Sequence, residues 1–575
     1  MERKGTELFV HALKSEGVDT VFGYPGSHVI DIFDELYKQD EIDVILPRHE
    51  QGLIHAADGY ARSTGKVGVC IVTGGPGATN LVTGIATANY DSVPLVCFTG
   101  QVSTPLIGND AFQEVDIVGI TRSICKYCVM VRDRKDLNRI IKEAFYIART
   151  GRPGPVIVDL PKDIMLSIGD GEYPQNVNIR GYKPNTDIHI GQLRKAVEML
   201  HSSSKPLFLI GGGVNISRAN DELNKLINTT NIPVVTTILG KGSLDTTHPR
   251  YIGNLGMHGN YAANLAVSHC DLLFSIGTRF NDRITGNTSM FAPDARIVHI
   301  DIDSAAISRN VKVDVPIVAD AKIALNEMLK QVHECLINDW IAQIDKWKQE
   351  YQEQIILYPG LTPQNILKKL NECFSEGIFV TDVGQHQMWT AQYLEINKDK
   401  RLLTSGGLGT MGYGLPAAIG ACIGNRDKRV VCITGDGGFQ MNIQELTTAV
   451  INELPLIICV FNNNYLGMVR QWQELFYDKR YSITCLRRRR SCDHHCQGPN
   501  KNCPEYLPDF IKLAEGYGAQ GIRIETADEI EPAFKQAKLN KNTPTILEFI
   551  IKPEELVIPM VKSGKSLNEM IITGV

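Results

Sequence analysis

A chain of 575 residues is too long for one hydrophobic core, and its length points to about three or four domains. Its 43% hydrophobic and 21% charged residues are ordinary for a water-soluble globular protein, and a formal net charge of −5 argues against nucleic acid or an anionic membrane as the main partner. No apolar run approaches the ~20 residues needed to cross a bilayer.

The stretch Met1-Glu-Arg-Lys-Gly-Thr-Glu-Leu-Phe-Val10 mixes charges and runs into an amphipathic helix without the apolar core of a secretory signal, so a cytoplasmic protein is expected. From there β-rich runs alternate with helical patterns and glycine turns, as in α/β domains whose parallel sheets are flanked by helices. The runs at 67–72, 207–210, 272–276, 429–433 and 456–461 are almost continuously apolar, as strands buried on both faces are. A polar, turn-rich stretch at 169–186 and a charged helical stretch near 335–362 divide the chain into parts 1–168, 188–332 and 363–550, with a tail at 551–575. Parts one and three echo each other. Ile71-Val-Thr-Gly-Gly-Pro-Gly-Ala-Thr-Asn80 and Ile433-Thr-Gly-Asp-Gly-Gly-Phe-Gln-Met-Asn442 both read as strand, glycine turn and helix start, and an apolar strand follows each. The repeat suggests two domains of one fold around a different middle domain.

Gly435-Asp-Gly437 is followed by 24 residues and then Asn462-Asn463 at the end of a second apolar strand. An isolated Gly-Asp-Gly is most often an ordinary tight turn. This spacing instead puts Asp436 and Asn463 at the carboxyl ends of neighbouring strands, where open α/β sheets bind ligands. A carboxylate (Asp436), an amide oxygen (Asn463) and a backbone carbonyl (Tyr465) suit Mg²⁺, whose remaining ligands are diphosphate oxygens and water. Gly437 and Gly438 let the backbone and a helix start approach a diphosphate. In the middle part Ile210-Gly-Gly-Gly-Val214, with Gly211 and Gly212 after an apolar strand, is by itself a weak dinucleotide signal.

These features, together with blocks in all three parts of the chain, resemble the acetohydroxyacid synthase (acetolactate synthase) catalytic-subunit family of thiamine diphosphate enzymes. The blocks are Arg48-His-Glu-Gln-Gly52, Gly100-Gln-Val-Ser-Thr-Pro105, Asp110-Ala-Phe-Gln-Glu114, Gly151-Arg-Pro-Gly-Pro155, Leu255-Gly-Met-His-Gly259, Thr381-Asp-Val-Gly-Gln-His-Gln-Met-Trp389, Gly409-Thr-Met-Gly-Tyr-Gly-Leu-Pro416 and Gly467-Met-Val-Arg-Gln-Trp472. The resemblance implies two thiamine diphosphate-binding domains around a central Rossmann-like one: a pyrimidine-binding domain at 1–168, an FAD-binding-like domain at 188–332 and a diphosphate- and Mg²⁺-binding domain at 363–550. It also implies decarboxylation of pyruvate and transfer of the two-carbon unit to pyruvate or 2-ketobutyrate, in branched-chain amino acid synthesis.

An isolated glutamate on a helix is usually a solvated group. By resemblance, Glu50 is the carboxyl that hydrogen-bonds the cofactor's aminopyrimidine as a general acid. Val383, Gly384, Gln385 and His386 match the loop that receives the cofactor, Met411 the side chain that bends it, and Met468 a neighbour. Phe112, Gln113 and Lys162 match the substrate entrance, and Trp472 the side chain over the second 2-ketoacid. Arg152, Thr236, Leu255, Met257, His258, Arg279, Asp282, Arg283, Asp301 and Asp320 fall where the family binds FAD, here in a structural role. In the family Glu50 and the Mg²⁺ site come from different subunits, so a homodimer or higher homo-oligomer with shared sites is implied, often with a small regulatory subunit. Two other readings stay open: another thiamine diphosphate decarboxylase or oxidase, and a non-catalytic cofactor-binding homologue.

Two segments depart from the family pattern. Gly23-Tyr-Pro-Gly-Ser-His28 carries Ser27 and His28 where two small residues are usual beside the cofactor's reactive carbon. The second departure is a run after Tyr481-Ser-Ile-Thr484 that holds Cys485, Cys492, Cys496 and Cys503, spaced by six, three and six residues, with His494, His495 and Arg487–Arg490 among them. Four thiolates suit Zn²⁺ or an iron–sulfur cluster, but the spacing matches neither common signature. A redox-sensitive loop or a plain insertion is the alternative, in a chain whose 14 cysteines are otherwise expected to be mostly free thiols.

Overall fold

The computed structural model describes residues 2–354, 360–493, 496 and 498–572. It contains three parallel sheets of six strands each. The N-terminal sheet runs, edge to edge, Asp43–Ile45, Thr20–Tyr24, Gly68–Val72, Leu95–Gln101, Pro155–Pro161 and Tyr127–Met130. The central sheet runs Tyr251–Asn254, Val234–Thr236, Pro206–Ile210, Leu272–Ile276, Arg296–Asp301 and Val315–Val318. The C-terminal sheet runs Lys400–Thr404, Gly377–Thr381, Val430–Gly435, Ile457–Asn462, Thr545–Ile550 and Gln520–Ile524. The strands Gly68–Val72, Leu272–Ile276 and Pro155–Pro161 are buried along their whole length, which is why their sequences are mainly apolar rather than alternating; the polar exceptions, Ser275 and Asp159, are hydrogen-bonded to Thr278 and to Thr99 and Gln101.

With strands ranked by chain order inside each sheet, the first and third sheets share the order 2-1-3-4-6-5, while the middle one runs 3-2-1-4-5-6. The two glycine turns that echo each other in sequence follow the third strand of their respective sheets, so the echo is a repeat of topology. The middle order is the doubly wound dinucleotide-binding arrangement.

The outer two domains share a core. Helix Glu50–Thr64 lies against helix Gly414–Gly424, and Leu53, Ala57 and Phe22 of the first domain pack in one cluster with Leu415, Ala418 and Ile458 of the third. A Cβ on Gly59 would strike the Ala417 carbonyl and one on Gly420 the Ala56 carbonyl, so the two backbones can meet only through these glycines. Beside this contact lies a buried ionic network. Arg62 pairs with Asp58 at 2.6 Å and with Asp91 at 2.9 Å, and the Tyr413 hydroxyl donates to Asp58 at 2.7 Å.

The segment after residue 550 is more than a tail. Met560–Val561 pairs antiparallel with Met570–Ile571, Val561 donates its N–H to the Met257 carbonyl, and Val561 and Leu567 join the central domain's core. Among the described residues no helix is long and apolar enough to cross a membrane.

Arg62→Met would leave two buried carboxylates without their cation. It is expected to lower the unfolding free energy by about 3–5 kcal/mol in chemical denaturation. A loss below about 1 kcal/mol, the worth of an exposed pair, would show that this network does not hold the domains together.

Candidate active site

Strands Val430–Gly435 and Ile457–Asn462 pair in parallel with Gly435 opposite Phe461, so the residues that follow them emerge side by side at the carboxyl edge of the sheet. There Asp436, Asn463 and Tyr465 line a cavity of about 60 Å³ with Gly437, Gly438, Met468 and the cluster Val383, Gly384, Gln385, His386 and Met411. Burial pushes the Asp436 carboxyl up to about 8, and its Oδ2 has no hydrogen-bond partner. The N–H groups of Gly437 and Asn464 and the Tyr506 hydroxyl act in the opposite direction. Asn463 Oδ1 accepts the Tyr465 N–H at 3.0 Å, while its Nδ2 donates to Gln385 Oε1 at 3.2 Å. An unpartnered buried carboxylate oxygen beside an amide oxygen is a donor set that suits a hard divalent cation. The residues present therefore fit a metal–diphosphate group.

Two further groups shape this floor. Gly384 has φ 151°, outside the ordinary range of residues with a side chain, and turns the chain into helix Gln385–Tyr393, where a Cβ on Gly384 would lie 3.0 Å from the His386 ring. Burial presses the His386 imidazole down to about 3, and its Nε2 is buried without a partner. Asp382 is fully enclosed and accepts the N–H groups of Val383 at 2.7 Å, Gly412 at 3.1 Å and Gly414 at 2.8 Å, which fixes the turn carrying Met411. Burial raises its carboxyl to about 6 despite those three donors.

A cavity of about 1040 Å³ opens between the central and C-terminal domains. Gly212, Leu255, Met257, His258, Arg279 and Arg283 line one side, and Gly384, Met411, Met468 and Trp472 the other. Burial, assisted by Arg283, holds His258 down at about 4, with Nε2 unpartnered. A second cavity of about 210 Å³ shares Gly212 and Arg279 and adds Arg152, Asp301 and Asp320. Arg152 pairs with Asp303 at 3.2 Å, and burial together with Arg152 lowers the pKa of Arg279 while Asp91 and Asp301 act in the opposite direction, so arginines and aspartates alternate where the two cavities meet. Three of the expected residues lie off these walls. Thr236 is buried with its hydroxyl on Asn254 at 3.0 Å, Gly211 is packed against the Gly277 backbone, and Asp282 points its side chain to the surface beside Arg283.

The N-terminal residues form a separate cluster. Asn80 Nδ2 donates to Glu50 Oε2 at 2.9 Å, Ser27 Oγ to Gln113 Oε1 at 3.2 Å, and Lys162 Nζ to the Ser27 carbonyl at 2.9 Å. Phe112 stands 82% exposed. His28 lies under this cluster with Nδ1 buried and unpartnered, its pKa lowered by burial and by Lys162. None of Glu50, Phe112, Gln113 or Lys162 lines the cavity around Asp436. In one chain the Glu50 cluster and the Asp436 floor are thus two separate groups of residues.

The cysteine run begins where Tyr465 and Cys485 form an antiparallel bridge, which ties it to the Asn463 turn. All its thiols are free, and no group of His, Cys, Asp or Glu among the described residues is arranged to hold a metal; His494 and His495 lie outside those residues. Sequence reasoning missed Asn80, Asp91, Asp382 and Tyr506. Asp382 had a signal, its place beside the Val383–His386 block, whereas the others are single polar residues of common type.

Residues 3–120, 193–328 and 382–549 match, in turn, the N-terminal TPP binding domain, the central domain and the C-terminal TPP binding domain of the thiamine pyrophosphate enzymes. The class is therefore that of a thiamine pyrophosphate (thiamine diphosphate) enzyme. Full-length relatives narrow it. The chain is 46% identical to the "Probable acetolactate synthase large subunit" of Methanococcus aeolicus, over 99% of the chain and 95% of that protein. It is 44% identical to the acetolactate synthase large subunit of Cyanidium caldarium, over 99% and 97%. It is 43% identical to the acetolactate synthase isozyme 3 large subunit of Escherichia coli, over 98% of each. The chain belongs to the acetolactate synthase large-subunit family.

Asp436→Asn keeps the shape of the floor and removes the buried carboxyl that would ionise against a bound cation. Without ligands the variant is expected to melt at or above the wild-type temperature. The rise in melting temperature that thiamine diphosphate and a divalent cation give the wild type is expected to vanish. A full ligand-induced rise in the variant would remove Asp436 from the metal site.

Proposed function

We propose that the chain is the catalytic subunit of an acetolactate synthase. It decarboxylates pyruvate on thiamine diphosphate and passes the two-carbon unit to pyruvate or 2-ketobutyrate, giving 2-acetolactate or 2-aceto-2-hydroxybutyrate for branched-chain amino acid synthesis. The observation that carries this reading is the buried Asp436 carboxylate, unpartnered at Oδ2 beside Asn463, in a chain related over nearly its full length to acetolactate synthase large subunits.

Asp436, Asn463 and the Tyr465 backbone carbonyl would hold Mg²⁺, with Gly437 and Gly438 beside the diphosphate. When bound, thiamine diphosphate supplies the nucleophilic carbon and the electron sink. Glu50 holds a proton for the aminopyrimidine ring and is itself oriented by Asn80. Met411, on the turn fixed through Asp382, would support the bound cofactor. Gln113, Phe112 and Lys162 form the substrate entrance. Trp472 lies over the second 2-ketoacid, where one extra methylene in an apolar pocket is worth about 1–3 kcal/mol. FAD would occupy the two joined cavities, with Arg152 and Arg279 toward its phosphates, Asp301 and Asp320 toward its hydroxyls, and Leu255, Met257, His258 and Arg283 along the rest. Gly211, Thr236 and Asp282 act from behind or beside these walls.

Because Glu50 and Asp436 belong to separate half-sites, the working enzyme is at least a homodimer, each site built from Glu50 of one chain and Asp436 of the other. The domains are 1–168, 188–332 and 363–550. The relatives are named large subunits, which supports a small regulatory partner. The protein acts in the cytoplasm on small 2-ketoacids, without nucleic acid or membrane.

Purified chain is expected to convert pyruvate to acetolactate, with activity lost when thiamine diphosphate or Mg²⁺ is omitted and retained flavin visible by absorbance. Acetaldehyde or oxygen uptake without acetolactate would point to a decarboxylase or oxidase instead. Glu50→Gln is expected to lower kcat by about 10²–10³-fold. Unfolding and refolding inactive Glu50→Gln and Asp436→Asn chains together is expected to recover about a quarter of wild-type activity, since half the dimers are mixed and carry one intact site each. No recovery would place both residues in one chain's site.

A further inference from the structure

A cavity of about 400 Å³ lies between the central and C-terminal domains, apart from the cofactor cavities, and the function proposed above makes no use of it. Among its walls are Lys241, Tyr261, Lys348, Tyr351, Gln392 and Glu395. The Lys241 side chain is buried, and its ammonium donates to the Ala391 carbonyl at 2.8 Å, near the end of helix Gln385–Tyr393. Asn254 donates to the same oxygen. Glu395 acts on Lys241 through space, yet among the described residues no carboxylate makes an ion pair with it. A helix end favours a cation, but one carbonyl satisfies one of three N–H donors, and a buried ammonium left otherwise unpartnered is costly. Burial accordingly presses Lys241 down to about 7.

A second atom in the wall is also unsatisfied. Gln392 Nε2 donates to the His258 carbonyl at 3.1 Å and the Ile558 carbonyl at 3.3 Å, which commits the amide's donor side to the protein. Its Oε1 is buried with no partner. In the same wall the Tyr261 and Tyr351 rings stack at 5.3 Å and 12°, with the Tyr351 hydroxyl donating to the Ile558 carbonyl at 3.3 Å, so the pair adds aromatic surface beside Gln392. Lys348, 3.4 Å from the Tyr251 carbonyl and 3.6 Å from the Asp345 carboxylate, is a second cation in the wall but an already paired one.

We propose that this cavity is a second small-molecule site that takes a small organic carboxylate, its anionic end on Lys241 and its apolar body on the Tyr261–Tyr351 wall. The unsatisfied Gln392 Oε1 leaves room for an N–H donor, so the carboxylate comes either from a simple acid or from an α-amino acid. The inference does not rest on the reaction assigned above.

Pentanoate and L-norvaline share one carbon skeleton and differ in the amino group, and they serve as probes for calorimetric titration of the cofactor-loaded protein. Both are expected to bind. Equal affinities assign a simple carboxylate. Tighter binding of norvaline, lost in Gln392→Met, assigns an α-amino acid. Lys241→Met is expected to weaken either probe by about tenfold or more while the KM for pyruvate is unchanged, which separates this site from the substrate site. Absence of binding of both probes to wild-type protein up to about 10 mM, or undiminished binding to folded Lys241→Met, overturns the proposal.

Discussion

Arg62 has almost no water to share its charge: its side chain is 11% exposed, and those of its partners Asp58 and Asp91 are 1% and 0% exposed. In so dry a setting the charges are tolerable only if every hydrogen-bonding direction is used. Arg62 Nη1 takes the Thr404 carbonyl at 2.9 Å, and Asp91 accepts the N–H groups of Gly406 and Gly407 as well. The network therefore holds more than two helices of the first domain. It also fixes the segment of the third domain that lines the large cavity through Ser405–Gly409 and continues to Met411. A change in the angle between the two domains would break charged contacts and cofactor-wall geometry together, so the domain junction and the site behave as one mechanical unit.

That rigidity has a consequence for how a complete site can form. Helix Glu50–Thr64 is locked against helix Gly414–Gly424 by backbone contact at Gly59 and Gly420, so the Glu50 cluster has no freedom to swing onto the Asp436 floor of its own chain. Each half-site also leaves apolar side chains in the open: Leu106 at 50% and Phe112 at 82% beside the first, Met441 at 52% and Val469 at 49% beside the second. Exposed apolar groups of this kind are surface that a twofold assembly would cover. The stiffness of the single chain is thus a physical argument that supports the proposed shared site, beside the family resemblance.

Much of this was legible because parallel strands and glycine turns write themselves into sequence. Continuous apolar runs marked the strands at 68–72 and 457–462, and the Gly-Asp-Gly turn with its distant Asn462-Asn463 marked two adjacent strand ends. The weak repeat between residues 71–80 and 433–442 was a faithful trace of two sheets with one strand order. What was not legible depends on tertiary placement. Asp91 ends an ordinary helix, and nothing local says that its carboxylate will cap a turn more than 300 residues away. Lys241 reads as a solvated lysine in a glycine-rich turn until the neighbouring domain closes over it. The segment after 550 lacks long periodic elements, so its return to the central core shows only in three dimensions.

The distribution of unsatisfied polar atoms ties these threads together. Core groups such as Thr99 and Asp159, or Asn462 and Glu548, answer one another at 2.7 Å. Asp436 Oδ2 and His386 Nε2 are buried without partners at the cavity of about 60 Å³ and His258 Nε2 at that of about 1040 Å³, whereas other unpartnered atoms, such as both ring nitrogens of His55 beside Tyr413, lie in the core between the domains. A fold stable enough to carry such atoms has placed its surplus elsewhere, in the glycine-tight helix contact and the Arg62 network. Those at the cavities stand to gain when a ligand meets them, because a partner that binds only the folded state stabilises it by mass action. Removing a partner-seeking atom should therefore stabilise the empty protein and weaken its response to ligand, whereas removing a member of the Arg62 network should weaken both states alike. That contrast in sign separates residues kept for binding from residues kept for folding, even where both kinds are equally buried.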